Sequence, residues 1–379
     1  MTITLPATFM RGGTSKALLF RRDDLPADRT DWNDLLLRAM GSPDPYGRQL
    51  NGMGGGLSSL SKVCVIGVSE RAGVDLDFTF AQVQIRRAMV DYTGNCGNMS
   101  AAVAPFGLAA GLIKRADGNA VVIVHNTNTG KLMRASFKVG NGFAVEEGDL
   151  VIPGVGGSGA PVRLDFLEPG GPATGSLLPT GHTTDELITP LGAVTVSMID
   201  AANACVFVAA SDVGLTGTEQ PEQLESRPDV LEALATIRAH AAVAMGLVTK
   251  PEEAADRPMT PFVAVLAPPC RYVASDRTVV EAADYDLGVR FVSNGQPHRA
   301  IPGTGALCVA VAARITESIA GTLARAGSRR AATGIGLGTP AGVVSVDALV
   351  ERSTDGGWSA RSATSYRTFR RLFTGEVFA

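Results

Sequence analysis

The stretch DYTGNCGNMSAAVAPFGLAAGLI (residues 91–113) and a later one, HRAIPGTGALCVAVAARITESIAG (298–321), decide the architecture. Each opens on a glycine-flanked turn and runs into a helix, 99–113 and 306–315, that is apolar on nearly every face. A helix without a polar face has to be surrounded by other elements. Working outward, a second pair matches as well: FMRGGTSKALLFRRDDLPAD (9–28) and IDAANACVFVAASDVGLTGT (199–218) each give a small-residue turn, an apolar strand and an acidic turn. The spacing within each half, about 80 and about 100 residues, is close enough for an internal duplication of one α/β unit. Strand-like runs are frequent, among them 2–5, 17–20, 63–68, 76–85, 121–125, 132–138, 194–198, 205–210, 262–266, 287–292 and 343–346, whereas 32–40 and 229–245 read as amphipathic surface helices. The expected class is therefore α/β (α+β): a strand-rich layer wrapped around one central helix, twice over. The division is expected in the polar, glycine-rich stretch near 180–190, giving domains 1–185 and 186–379, with the last residues free to return to the first domain.

Bulk properties agree with two packed cores and exclude several function classes. The chain has 379 residues, 45% of them apolar and 19% charged, with 44 glycines scattered rather than repeated. A net charge of -3 gives no basic field for nucleic acid. The most apolar stretch, 101–113, is broken by Pro105 and Gly107 and is too short to span a bilayer, and no export signal is legible at the N-terminus. Five cysteines at wide spacings form neither a disulfide framework nor a zinc motif, and the four histidines are isolated, so a reducing cytoplasm and no metal are expected.

Four segments carry chemistry. In Gly94-Asn95-Cys96-Gly97-Asn98, just before a buried helix, unpaired amides and the positive end of the helix dipole can stabilise a carboxylate or a thiolate, although the same residues also suit a turn and cap around a small buried cysteine. Gly54 to Lys62 (GGGLSSLSK) crowds hydroxyl, amide and amine donors into nine residues, either an anion cradle or a flexible loop, and it lacks the phosphate-loop pattern. Arg11 to Lys16 (RGGTSK) has the same donor-rich character, as does His298 to Gly305 (HRAIPGTG). GIGLGT (334–339) faintly resembles a dinucleotide fingerprint but lacks the strand-turn-helix setting.

Taken together, MRGGTSK (10–16), SPDPYGRQLNGMGGGLSSLSK (42–62) and VDYTGNCGNMSAAV (90–103), with HRAIPGTGALCVAVAAR (298–314) later, resemble the PrpF family. The resemblance implies a diaminopimelate-epimerase-like fold: two pseudo-symmetric domains, each a curved sheet around a central helix, with a cleft between. It implies isomerisation of a small unsaturated di- or tricarboxylic acid, such as methylaconitate, methylitaconate or oxalomesaconate, with no metal or organic cofactor. The family's paired catalytic residues map onto Lys62 and Cys96. Substrate contacts are then expected from Thr14, Ser15, Ser58, Asn95, Gly97 and Asn98 in the first half, and from His298, Thr304 and Gly305 in the second. The epimerases place a second catalytic cysteine immediately before GTGA; here that position is Pro302, so a racemase or epimerase with two opposed thiols is disfavoured. Other readings stay open: an accessory protein of an aconitase-like dehydratase, or cis/trans rotation in place of a proton shift. The expected partner is a small polycarboxylate, without nucleic acid or membrane, and a homodimer is a possible assembly.

Overall fold

In the computed structural model, residues 3–190, 192–293, 295–324, 334–352 and 356–379 are described; Thr2, the first residue of the earliest strand-like run, lies outside them. The chain divides into two compact units, Met1–Asp165 with Tyr366–Ala379, and Phe166–Ser365. The glycine-rich stretch where a boundary was expected lies inside the second unit. It is held there by strand Asp185–Thr189, antiparallel to Gly192–Ala201 with Asp185 opposite Val196, and by Ser197, whose hydroxyl donates to the Thr183 carbonyl at 2.7 Å.

In the first unit β1 (Thr4–Gly12) and β2 (Ser15–Arg21) form a hairpin with Gly12 opposite Ser15. The tight connection places Gly13 at φ 49, a left-handed conformation that glycine adopts without a Cβ penalty. A crossover containing α1 (Trp32–Met40) returns the chain to β3 (Lys62–Val68), parallel to β2 with Ala17 opposite Lys62. β4 (Leu76–Val83) follows antiparallel, and β5 (Val90–Asp91) pairs with its end. After α2 (Ser100–Ala109) come β6 (Gly118–Asn126), parallel to β4, and β7 (Leu132–Gly140), antiparallel to β6.

The second unit repeats this order. Strands Gly192–Ala201 and Asn203–Ala209 form the hairpin, a crossover with helix Pro228–Ala244 leads to the parallel strand Phe262–Ala267, and Leu287–Ser293 follows antiparallel. Helix Gly303–Arg314 then precedes Ile335–Thr339, parallel to Leu287–Ser293, and Gly342–Arg352, antiparallel to that. The duplication read from two pairs of segments is thus a duplication of strand order, direction and helix position. Residues 335–339 of GIGLGT form one of the strands.

The two helix types divide as their sequences require. On α1 one apolar face (Leu35, Leu36, Met40) packs against Phe20, Val63, Val65 and Ala81, and on Pro228–Ala244 Leu234, Ile237 and Ala241 pack against Val206, Val208, Val263 and Val265. In α2 every residue from Ser100 to Leu108 is buried, against β1, β3 and β4, and Gly303–Arg314 is buried through Ala313. The first buried helix is shorter than expected. It ends at Ala109 because Gly111 turns left-handed (φ 71) and the Leu112 amide reaches back to the Gly107 carbonyl at 2.9 Å, a Schellman closure.

The loop before β3 is fastened rather than loose. Gln49 is fully buried; its Nε2 donates to Ser42 Oγ (2.8 Å) and Ser61 Oγ (2.7 Å), and its Oε1 accepts the Gly56 amide (3.0 Å). Losing these bonds, at a net of about 1 kcal/mol each, is expected to lower the stability of Gln49→Ala by about 2–4 kcal/mol. Urea denaturation checks this, and a midpoint equal to that of the parent would mean that the loop is held by something else.

Candidate active site

The register of β3 against β4 places Lys62 directly opposite Gln82. Lys62 Nζ donates to Gln82 Oε1 at 2.6 Å, and the Gln82 amide is fixed in that orientation by donating Nε2 to the carbonyls of Ser61 (2.8 Å) and Ser58 (3.1 Å). The ammonium also stands 4.9 Å from the centroid of the Phe80 ring. Lys62 is only 5% exposed. Burial lowers its pKa from the ordinary lysine range, and the neighbouring thiols of Cys96 and Cys64 oppose that lowering. A lysine so placed exchanges a proton more readily near neutral pH than a free one. Cys64, two residues along β3, is driven the other way: burial pushes its thiol up, which suits a structural cysteine.

Cys96 sits in the turn that leads into α2. Its carbonyl accepts both the amide (2.9 Å) and the hydroxyl (3.0 Å) of Ser100, so the chain is already helical in sense here. Among the described residues the amides of Gly97 and Met99 have no hydrogen-bond partner, as expected ahead of a helix. Beside them Asn95 is buried, and its Oδ1 has no partner among the described residues. Asn128, just past β6, ties this turn to β4 by donating Nδ2 to the carbonyls of Phe80 (2.7 Å) and Gly94 (2.9 Å).

Asn98 links the turn to the hairpin: its Nδ2 donates to Thr14 Oγ1 at 3.1 Å, while its Oδ1 accepts Arg367 Nε at 3.0 Å. Of the residues expected in the first half, hydrogen bonds connect Thr14 with Asn98, and Ser58 with Lys62 by way of Gln82. Lys62 and Cys96 act electrostatically on each other, Asn95 and Gly97 flank Cys96, and Ser15 is buried at the hairpin end. One donor of the supposed anion cradle is occupied, since the Ser61 hydroxyl donates to the Val83 carbonyl at 2.9 Å. Lys16 stacks over Phe9 at 5.6 Å.

In the second unit Thr304 and Gly305 lie in the first turn of helix Gly303–Arg314, and His298 lies five residues ahead of it. His298 Nδ1 accepts the Ala300 amide at 3.1 Å, Thr304 is buried, and Gly305 packs so close to Phe291 that a Cβ would come within 2.7 Å of the ring. Pro302 precedes the helix, and Cys308 lies deep within it, its Sγ 3.4 Å from the Ile199 carbonyl. Burial pushes the nearby Cys205 thiol up, assisted by Cys308.

Sequence reading missed Gln82, Asn128 and Arg367. Gln82 carried a signal: it follows Phe78 and Phe80 on one face of a strand, where a polar residue needs a reason. Arg367, within SYRTFRRLF, had no motif to set it apart from its neighbours.

Among the described residues no cluster of three or more His, Cys, Asp or Glu could hold a metal, and no helix is long and apolar enough to cross a membrane. The family model described as "PrpF protein" matches residues 2–379. The chain belongs to the PrpF family. It is 39% identical over 376 residues to the 3-methylitaconate isomerase of Eubacterium barkeri, covering 99% of this chain and 97% of that protein. It is also 39% identical, over 387 residues, to the 2-methyl-aconitate isomerase of Cupriavidus necator, with the same two coverages of 99% and 97%. A crystal structure of methylitaconate-delta-isomerase superimposes with a TM-score of 0.80 at 38% identity, over 100% of this chain and 96% of that one. A hydroxyproline epimerase from Agrobacterium vitis, 13% identical with a TM-score of 0.57 over 99% of this chain and 92% of its own, shares the fold alone. This PrpF chain thus has the mixed α/β, epimerase-like architecture that the PrpF resemblance implied.

Proposed function

We propose that this protein is an isomerase that moves a proton on a small unsaturated di- or tricarboxylic acid, with Lys62 and Cys96 as its acid-base pair. The observation that carries the reading is the placement of these two groups. Both are buried, each lies in the other's field, and Cys96 stands at a helix N-terminus where amides are open to an anion. The two relatives named above act, by their names, on acids of this class.

An allylic shift removes a proton beside a carboxylate and returns one two carbons away, through a dienolate-like anion. It needs a base, an acid and fixed positive potential. One member of the pair takes the proton, the other delivers one at the far carbon, and a proton passed between them or through solvent resets the site. Open amides ahead of α2 can hold a carboxylate. The chemistry calls for no cofactor, and the five free cysteines suit a reducing, cytoplasmic setting.

The test is a panel of unsaturated di- and tricarboxylates incubated in heavy water with protein dialysed against a chelator, followed by proton NMR. Turnover of at least one acid, with solvent deuterium entering its carbon skeleton, is expected. No turnover on any of them would favour an accessory role, and restoration of activity by a divalent ion would contradict cofactor independence.

A further inference from the structure

We propose that Arg367 anchors one carboxylate of the substrate; this rests on the polycarboxylate isomerase reading above and names the residue that holds the acid beside Cys96. Arg367 ends the strand Trp358–Arg367, belongs to the first unit and is 2% exposed. Its Nε donates to Asn98 Oδ1 at 3.0 Å and its Nη1 to the Tyr366 carbonyl at 2.9 Å. Both acceptors are neutral, and among the described residues no Asp or Glu side chain pairs with it.

A buried cation without a counter-ion is costly, so proteins keep one where an anion arrives. The other fully buried arginine, Arg290, is accommodated differently. It donates to the carbonyls of Glu219, Val289 and Gly338, its guanidinium lies 5.2 Å from the Tyr272 ring, and the Glu219 carboxylate helps hold its charge, although its Nη2 also lacks a partner among the described residues. Arg367 has no such surroundings. Its two bonds leave both hydrogens of Nη2 and one of Nη1 for a ligand, on adjacent nitrogens spaced to grip a carboxylate in a bidentate fashion.

The place is also right. Asn98 joins Arg367 to the turn that carries Cys96 and to Thr14 of the hairpin. At Gly13 any side chain would meet Asn98 Oδ1 and come within 3.0 Å of Arg367 Cδ, so the glycine lets the hairpin backbone close against both. Burial lowers the guanidinium pKa to about 10, and Cys96 is the group that opposes it, which places thiol and guanidinium in one field. Lys62 on β3 feels the same thiol, so amine, thiol and guanidinium share one electrostatic neighbourhood.

The experiment compares the parent with Arg367→Gln, which keeps a donor for Asn98 but drops the charge, and Arg367→Lys, which keeps the charge but not the fork. Steady-state kinetics use the acid turned over in the NMR panel, and thermal melts report folding. The expected result is a KM raised about 30–100-fold in Arg367→Gln with a much smaller change in kcat, and partial recovery of KM in Arg367→Lys. A merely structural role would lower the melting temperature and kcat and leave KM in place, and that outcome overturns the proposal. Should Arg367→Gln not fold, Arg367→Lys decides: a KM raised tenfold or more supports the anchor, and an unchanged KM overturns it. If the parent turns over an acid and the variants keep its KM, the anchor falls alone; if the parent turns over none, the isomerase reading falls and takes the anchor with it.

Discussion

Cys96→Ser is expected to lose about 10³-fold or more in kcat while still binding a substrate analogue within a few-fold of the parent. The two halves of that expectation have separate causes. A serine hydroxyl is nearly the same size as the thiol, and the bonds that shape the turn run through the Cys96 carbonyl and the Ser100 and Asn98 side chains, so the pocket for the acid should persist. A hydroxyl is a far weaker acid than a thiol, however, and general acid-base catalysis by one positioned group is worth about 10²–10⁴-fold. Single-turnover NMR with the serine variant, set beside a binding titration with a saturated analogue, separates the two. A kcat within tenfold of the parent would return Cys96 to the role of a small buried residue in a helix cap.

Lys62→Met should be equally damaging, with an effect that depends on pH in the parent. Burial holds the Lys62 pKa below that of a free lysine. If its neutral amine is the base, kcat/KM of the parent rises with pH through this lowered pKa and levels off above it; if its ammonium is the acid, activity falls over the same window. Stability carries a fixed sign. A lowered folded-state pKa means that the unfolded chain binds more protons, so the parent is penalised below the folded pKa and recovers as the pH climbs to the free-lysine value of about 10.4. Replacing Lys62 by methionine removes that penalty but leaves Gln82 Oε1 without its 2.6 Å donor, in a residue with no exposure at all. The stability difference between Lys62→Met and the parent should therefore move in the parent's favour as the pH rises, while activity stays about 10²–10⁴-fold down throughout. Paired melts and rate profiles check this, and a variant with the parent's pH-rate curve would exclude Lys62 from the chemistry.

Much of this was legible because the deciding signals are local. Two helices with no polar face could only be central, and their glycine-flanked lead-ins pointed to the chain's repeated plan before any strand was paired. Lys62 and Cys96 stood out because they sit in glycine-, serine- and asparagine-rich turns where a charged or reactive side chain is conspicuous. Asn98 and Thr14 were named as separate substrate contacts; that they bond to each other depends on how the β1–β2 hairpin meets the α2 lead-in, which spacing alone does not encode. Arg367 was illegible for a sharper reason. Its partner Asn98 is 269 residues away, and nothing between Arg361 and Arg371 marks one arginine as buried and the others as solvated. Gln49, likewise, reads as one more residue of a loop until its bonds to Ser42, Ser61 and Gly56 reveal it as that loop's fastening.

The final strand, Phe369–Phe378, lies antiparallel along β1 from Thr4 to Gly12. Seen from the ribosome, this makes the second unit, whose residues 166–365 are contiguous, the part that can fold first. In the first unit β1 pairs with β2 on one side and with this strand on the other, so that its sheet joins residues from far apart in the chain. Arg367 lies two residues ahead of that strand. A nascent chain therefore carries Lys62 and Cys96 long before it carries the arginine bonded to Asn98.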